Sequence, residues 1–486
     1  MTIIKETDKL NRKGTEQLLL PFYPKRGINE PIYMQLYDYI RKSIITGEMC
    51  KGEKLPSIRE ISQTTGLSRT TIESAYFQLL TEGYILSRPK SGYYAADLTE
   101  IELDFPSEKP RIEDKSRAMG ISQEIKYFNE NVDSESFDAS TWKRMYGKIL
   151  KDRKDDTFSV GEHQGELDLR RQISKFINQT RGARTSPGQI VVGAGVQYLM
   201  GILVGLVRTN GGRAAFEDPG YEKARYIFED YGFETESIRV LENGIDIGAL
   251  YESNADVVYV SPSHQFPTGF LMPVPKRIDL INWAREKESF IIEDDYDSLI
   301  RHESRPVPCL QGLDSHDRVI YLGSFSKILL PSVRISYMVL PQRLLNDYES
   351  IKKRYSQSAS KLEQLTLAGF LEEGFMEKHI RRIKRNYKRK SFLLQKYIER
   401  NLKGHVRIIS ADSGLNMVLG IATKQTPDEI ADGFAKKGIL AKVIGKDHGN
   451  VVVSIAYSGF STTDIEKMIE RGVSSEGDWL EEFLKL

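Results

Sequence analysis

From Pro31-Ile32-Tyr33 onward, apolar residues at Leu36, Ile40 and Ile44 recur with the spacing of one helix face, and Gly47 ends the run. Ser57 and Glu60 stand at capping-box spacing, so a second helix starts there; Gly66 stops it and Ser68 caps a third. The third helix gathers Ile72, Tyr76, Leu79 and Leu80 on one face, with Thr70 and Ser74 pointing away and Arg69 and Thr71 in an exposed first turn. Residues 84–88 and 93–95 are β-rich and flank Lys90-Ser91-Gly92, which predicts a hairpin with a basic tip. Over 97–120 periodicity fades, Pro106 and Pro110 enter and charges alternate, the pattern of a linker. Beyond it, short β-rich runs at 189–192, 213–216, 257–261, 290–293 and 319–323 are separated by helical lengths, which predicts a mostly parallel α/β sheet. The apolar stretch 190–207 is interrupted by Gln197, Gly193, Gly195, Gly201 and Gly205, so it reads as strand, glycine turn and core helix and not as a membrane span.

At 486 residues the chain exceeds one compact core, and 40% hydrophobic with 28% charged residues is the composition of a globular protein of at least two domains. A net charge of +1 excludes a global polycation, but residues 1–96 hold 14 Lys and Arg against 10 Asp and Glu, a bias toward nucleic acid at that end. Cys50 and Cys309 stand far apart, offering neither a disulfide framework nor a metal site and fitting a reducing cytoplasm. Residues 1–14 lack the apolar core of a secretory signal. Cap, tight turn, basic first helical turn and basic hairpin tip follow one another between Ser57 and Gly92, the order of a winged helix-turn-helix. Any one of these Arg or Thr residues is as readily a solvated surface residue; the ordered set is specific. Residues 31–95 thereby resemble the GntR family of bacterial regulators. The resemblance implies that Arg59, Ser68, Arg69, Thr70 and Thr71 meet phosphates and base edges in the major groove of an operator, with Lys90 and Gly92 approaching the minor groove.

In the sheet region, candidate ligand groups fall where strands end, the edge at which parallel α/β sheets bind ligands. Gly195, Val196 and Gln197 open a helix after a strand, so their N–H groups suit a phosphate; such a turn alone is equally a tight bend. Tyr221 follows the next strand and can lay its ring over a pyridine, or simply pack. Asp294 ends another strand, where an acid can keep a pyridine nitrogen protonated, although an acidic pair is commonly a helix cap. Lys327 stands in Ser324-Phe325-Ser326-Lys327, seven residues before Arg334. That spacing suits a Schiff base on the lysine and a phosphate held by Ser324, Ser326 and the bidentate Arg334.

With these residues in place, the chain resembles the fold type I aminotransferases, and together with its N-terminal head it is identified as a member of the MocR subfamily of GntR-type regulators. The most specific segments are 261–269 (Ser-Pro-Ser-His-Gln-Phe-Pro-Thr-Gly), 293–298 and 324–334. The resemblance implies an α/β chain with a winged helix-turn-helix at 28–96, a linker at 97–120 and, at 121–486, an aminotransferase-like (class I/II) effector and oligomerisation domain. That domain is a mostly parallel sheet with a smaller C-terminal α+β subdomain. It also implies pyridoxal 5'-phosphate on Lys327, with Asp294 on the ring nitrogen, Tyr296 on the ring hydroxyl and Tyr221 stacked on the ring. A head-to-tail homodimer is implied as well, each head resting on the partner's body. Two positions depart from the enzymes. Phe266 replaces an asparagine that bonds the ring hydroxyl, leaving His264 or Gln265 to take its role, and Val452 stands where an arginine clamps the substrate carboxylate. Lys223 is the nearest replacement cation, or else a solvated lysine. The basic run 379–390 is either a DNA-facing surface or a solvated helix. The expectation is a regulator that senses pyridoxal phosphate or an amino compound; the alternative is a working aminotransferase carrying a DNA-binding head.

Overall fold

The chain is described by a computed structural model covering residues 22–25, 30–97, 132–208, 212–301, 307–402, 404–411, 415–436, 441–447, 449–458, 461–463 and 465–466. It divides into two compact units, Met1–Gly120 and Ile121–Leu486. Apart from Asp97, the expected linker lies outside the described residues.

The first unit runs α1 (Ile32–Ile45), α2 (Ile58–Thr65), α3 (Arg69–Thr81), β1 (Ile85–Arg88) and β2 (Gly92–Ala95). The capping box closes both ways: Glu60 N donates to Ser57 Oγ at 3.3 Å, and Ser57 N donates to Glu60 Oε2 at 2.6 Å. Gly66 ends α2 with φ 70°, the left-handed turn that favours glycine. Leu36, Ile40 and Ile44 of α1 meet Ile61 of α2, Ile72, Ala75, Tyr76 and Leu79 of α3, and Ile85 of β1 in one core. The Tyr76 hydroxyl donates to Pro56 O at 2.8 Å, tying α3 to the entrance of α2.

In the second unit, eight strands form one sheet: β3 (Ile190–Gly193), β4 (Arg213–Asp218), β5 (Glu234–Leu241), β6 (Gly244–Ile245), β7 (Val257–Val260), β8 (Phe290–Asp295), β9 (Val319–Ser324) and β10 (Ser336–Val339). The order is β3-β10-β9-β8-β7-β4-β5-β6, with β5, β4, β7, β8 and β9 parallel and β10 antiparallel to both of its neighbours. Four antiparallel strands, β11 (Val406–Ser410), β12 (Asn416–Ala422), β13 (Ala441–Asp447) and β14 (Asn450–Ala456), form a smaller sheet in the order β11-β12-β14-β13. The stretch 190–207 resolves into β3, a turn at Gly195 and the helix Val196–Val207. Among the described residues no helix is long and apolar enough to cross a membrane.

Strand alternation sorts the larger sheet into two faces. Val191, Phe216, Tyr259, Ile292, Leu322 and Met338 pack with the helix Val196–Val207 on one; Val192, Ala215, Val258, Ile291, Val319 and Tyr337 face the cores on the other. The same alternation divides the three acids that end β8. Glu293 and Asp295 fall on the second face, where Arg277 and Arg181 come up from the helices Val274–Glu286 and Leu167–Arg181. Asp294 falls on the first.

The basic run 379–390 is neither wholly solvated nor wholly surface. It lies in the helix Phe375–Asn401, and both its ends are core. His379 sits 2.9 Å from Ile328 O, beside the Lys327 turn, and Lys390 Nζ lies 3.4 Å from Asp133 Oδ1 and donates to Ser458 O at 3.2 Å. Arg381, Arg385, Lys388 and Arg389 are exposed.

Arg181 Nε and Asp295 Oδ2 are 2.6 Å apart, with side chains 1% and 2% exposed. Removing one charge strands the other in the core. Asp295→Asn is therefore expected to lower the stability of the second unit by about 3–5 kcal/mol. Ser57→Ala, which removes one cap at the surface of the first unit, costs about 1 kcal/mol. Denaturant unfolding of the three proteins checks both, and equal losses would contradict the assignment.

Candidate functional site

On the first unit, Arg69 and Thr70 stand exposed in the first turn of α3, and Arg59 is exposed in the first turn of α2. Ser68 caps α3, accepting from Thr71 N at 3.2 Å. Thr71 was expected in an exposed first turn; it is half-buried, with its hydroxyl 2.7 Å from Ser68 Oγ, because the cap draws it inward. Lys90 is exposed at the hairpin tip at φ 61°, and Gly92 is half-buried at φ 113°, where a side chain would be strained. Beside them the Arg88 guanidinium lies 4.3 Å from the Tyr94 ring centroid. The set makes a basic surface with a helix N-terminus at its centre.

On the second unit the remaining candidates meet at the carboxyl edge of the larger sheet. Asp294 is buried; its Oδ2 accepts from the Tyr259 hydroxyl, and its Oδ1 has no hydrogen-bond partner among the described residues. Burial pushes this carboxyl up to about 7 against the lowering effect of the Tyr259 hydrogen bond. On the opposite face burial would raise Asp295 too, but the Arg181 guanidinium outweighs it and holds that carboxyl below its ordinary value. The Tyr321 hydroxyl at 2.6 Å and the Arg181 Nη2 bond to Ser263 Oγ at 2.6 Å complete that network. Burial pushes Glu293 up to about 7 despite Arg277, and its oxygens accept from Leu310 N at 2.8 Å and Gln311 N at 3.0 Å. Of the three acids, Asp294 is thus the one left without a nearby cation.

Because β10 runs backward, its start lies at the same edge as the ends of β3 and β9: Ser336 is level with Gly193 on one side and Ser324 on the other. This register brings Arg334, two residues before Ser336, against Gly195, two residues after Gly193. A Cβ on Gly195 would come within 2.7 Å of Arg334 Nη2, and Gly195 adopts φ 101°, so glycine is required twice over. Gly195 opens the helix Val196–Val207 without a side-chain cap, leaving the first-turn N–H groups of Val196 and Gln197 available. Ser324 Oγ accepts from Ser326 N at 3.2 Å and from Ser336 Oγ at 2.9 Å, while Ser326 Oγ is buried without a hydrogen-bond partner among the described residues. Lys327 follows directly, half-buried in the turn after β9. Glycine turn, arginine and serine hydroxyls thus form one cradle suited to an oxyanion.

The loop after β7 closes the site. Tyr221 stacks on Tyr259 with centroids 6.4 Å apart, and Phe266 meets both Tyr221 and Tyr296 edge-on at 6.4 Å. His264 Nδ1 lies 2.8 Å from the Tyr296 hydroxyl and 2.6 Å from Asp297 Oδ2. Gln265 is spent on the loop itself: its Nε2 donates to Pro219 O and Phe266 O at 2.7 Å each, and its Oε1 accepts from the Thr268 hydroxyl at 2.5 Å. Of the two residues offered for the role of the missing asparagine, His264 is the one coupled to Tyr296. Glu217 was missed from the sequence: it ends β4, accepts from Ser261 N at 3.0 Å, and burial pushes it up to about 8. Lys223 is exposed and does not line the cleft beside Tyr221, whereas Lys442 of β13 does. No local sequence signal marks Lys442, which reaches the cleft through the pairing of the smaller sheet.

Residues 32–94 match the bacterial regulatory proteins of the gntR family, and residues 134–465 match aminotransferase class I and II. The uncharacterized HTH-type transcriptional regulator YdeL of Bacillus subtilis (strain 168) is 38% identical over 93% of this chain and 98% of its own. The HTH-type pyridoxine biosynthesis transcriptional regulator PdxR of Corynebacterium glutamicum is 31% identical over 74% of this chain and 77% of its own. Among solved structures, the kynurenine aminotransferase of Pyrococcus horikoshii is similar with a TM-score of 0.66 at 21% identity, over 80% of this chain and 96% of its own, a likeness of fold. A gntR-type DNA-binding domain followed by a domain of aminotransferase class I and II, with relatives that match both along nearly the whole chain, places this protein in the MocR-like family of HTH-type transcriptional regulators.

Proposed function

We propose that the second unit is a sensor that holds pyridoxal phosphate, and that the state of its pocket sets how the first unit binds operator DNA. When bound, this group supplies an aldehyde that condenses with a primary amine and a ring nitrogen that carries a proton beside an acid. The observation that carries the reading is Asp294, a buried carboxylate with one oxygen lacking a partner, while its two neighbours on β8 face arginines. The ring nitrogen would meet that oxygen. Lys327 would hold the aldehyde carbon, and Tyr221 would cover the ring. Tyr296, aligned by His264 and Asp297, would meet the ring hydroxyl. Gly195, Val196, Gln197, Ser324, Ser326 and Arg334 would take the phosphate, with the orphaned Ser326 Oγ finding its partner there. A relative whose name assigns it to pyridoxine biosynthesis adds support.

At the DNA, Arg69 and Thr70 read base edges and phosphates from the start of α3. Arg59, Ser68 and Thr71 hold the backbone, and Lys90 and Gly92 bring the hairpin to the minor groove. The chain works as a head-to-tail homodimer in the cytoplasm, as its likeness to the subfamily implies. The sensed molecule is the cofactor or an amino compound, and it shifts the heads only through different affinity for two conformations of the body.

Mixing the full-length protein with pyridoxal phosphate is expected to produce a visible absorption band that Lys327→Ala lacks. The same spectrum with and without Lys327 would defeat the reading. A second expectation concerns pH. A free aspartic acid titrates near 3.8, and in the fold Asp294 is raised to about 7, so the folded state binds the proton more tightly. Its contribution to stability is full below 3.8 and is lost as pH rises through about 7. Without the cofactor, Asp294→Asn should therefore gain on the wild type as pH rises from 4 to 8, by on the order of 1.4 kcal/mol per unit of pKa elevation. Adding pyridoxal phosphate should shrink that gap by placing a proton against the carboxylate. Thermal unfolding across the pH range measures it, and a gap that ignores pH would contradict the assignment.

A further inference from the structure

Next to the ring site lies a cleft of about 200 Å³ with walls from two sheets. One wall carries Glu217, Asp218, Tyr221, Glu222 and Arg225, at the end of β4 and in the helix after it; the other is β13, with Lys442. Its volume suits a molecule of amino-acid size and is below the roughly 300 Å³ at which drug-sized ligand sites begin.

The register of the smaller sheet puts the lysine there. Lys442 is level with Ser454, which is level with Val418, whereas Val443, Val453 and Leu419 pack into the core of that subdomain. By alternation Lys442 faces away from that core, on the same side as Val452 and Ser454. Its Nζ sits 4.7 Å from the centroid of the Phe266 ring, the ring that also touches Tyr221 and Tyr296. This cation–π contact holds the ammonium at the cleft without neutralising it. Among the described residues Lys442 makes no ion pair. Val452, on the same sheet face, brings no charge.

The facing wall has unspent capacity too. Glu217 is 4% exposed, and its Oε1 has no hydrogen-bond partner among the described residues. Asp218 and Glu222 are exposed and form no ion pair among the described residues, and the buried Arg225 Nε also lacks a partner. The cleft therefore offers acids on one wall and a lysine on the other, around a volume of amino-acid size.

We infer that this cleft binds a small amino carboxylate, with Lys442 meeting its carboxylate and the acids of the facing wall, Glu217 foremost, meeting its ammonium group. It rests on the proposed sensor function only in taking this ligand as the effector.

The test is calorimetric titration of the full-length protein with glycine, L-alanine, L-glutamate and 4-aminobutyrate, alongside glycinamide and L-alaninamide, which keep the amine and lose the carboxylate. The wild type should bind at least one of the acids and prefer an acid to its amide by about tenfold or more, the scale of a charged hydrogen bond. Lys442→Met should erase that preference while leaving the amides unchanged, and Lys442→Arg should retain most of it. A preference that survives in Lys442→Met, or no binding of any of the four acids, overturns the inference. The visible spectrum of the same samples with pyridoxal phosphate separates the two claims. A normal band with Lys442-independent binding sinks only this site, whereas Lys442-dependent binding without a band upholds the site and sinks the cofactor reading.

Discussion

Three consecutive carboxylates at the end of a central buried strand are the constraint around which the second unit is organised. No fold can bury Glu293, Asp294 and Asp295 unless their charges are answered. Strand alternation divides them: two turn toward Arg181 and Arg277, which rise from helices on one face, and the third turns to the other face with only a tyrosine hydroxyl for company. The helix ending in Arg181 and the loop carrying Ser263 are pinned by that first network. The site on the second face inherits both its rigidity and its uncompensated acid from it. A cationic ring nitrogen is the natural complement of such an acid, and the rest of the pocket lies where the remaining parts of the same ligand would reach.

The antiparallel strand β10 is the second device. Parallel strands bring their carboxyl ends to one edge, but a residue preceding a strand reaches that edge only if the strand is reversed. Ser336 sits level with Ser324 and Gly193, so Arg334 is delivered to the glycine turn that opens the helix Val196–Val207. Residues 139 apart in sequence thus become one oxyanion cradle, without any local motif linking them.

Much of this was legible in the sequence. The capping box at Ser57, the left-handed Gly66 and the cap at Ser68 are local signals, and they define the helix-turn-helix closely. The ends of β3, β4, β8 and β9 could be found because each is marked by a short motif. What stayed hidden is what long-range register decides. Met417 to Ile421 and Val451 to Val453 are continuous apolar runs whose period cannot be read, so the face that carries Lys442 is visible only once β13 pairs with β14. Gln265 and His264 are neighbours with similar chemistry, and only the folded loop shows that one is spent on backbone carbonyls while the other meets Tyr296. Thr71 looked exposed by helical spacing and is drawn in by its bond to Ser68. Glu217 carries no motif of its own; its role appears when β4 and β7 lie side by side.

The central claim is that one chain couples occupancy of the pocket to the grip of the heads on DNA. The most direct measurement is the affinity of the full-length protein for its own promoter DNA at fixed salt, with pyridoxal phosphate present and removed, for the wild type and Lys327→Ala. Coupling of the usual size predicts a change of about fivefold or more in the wild type and none in the variant. Equal affinity in all four samples would mean that pocket and DNA-binding surface share a chain without sharing a function.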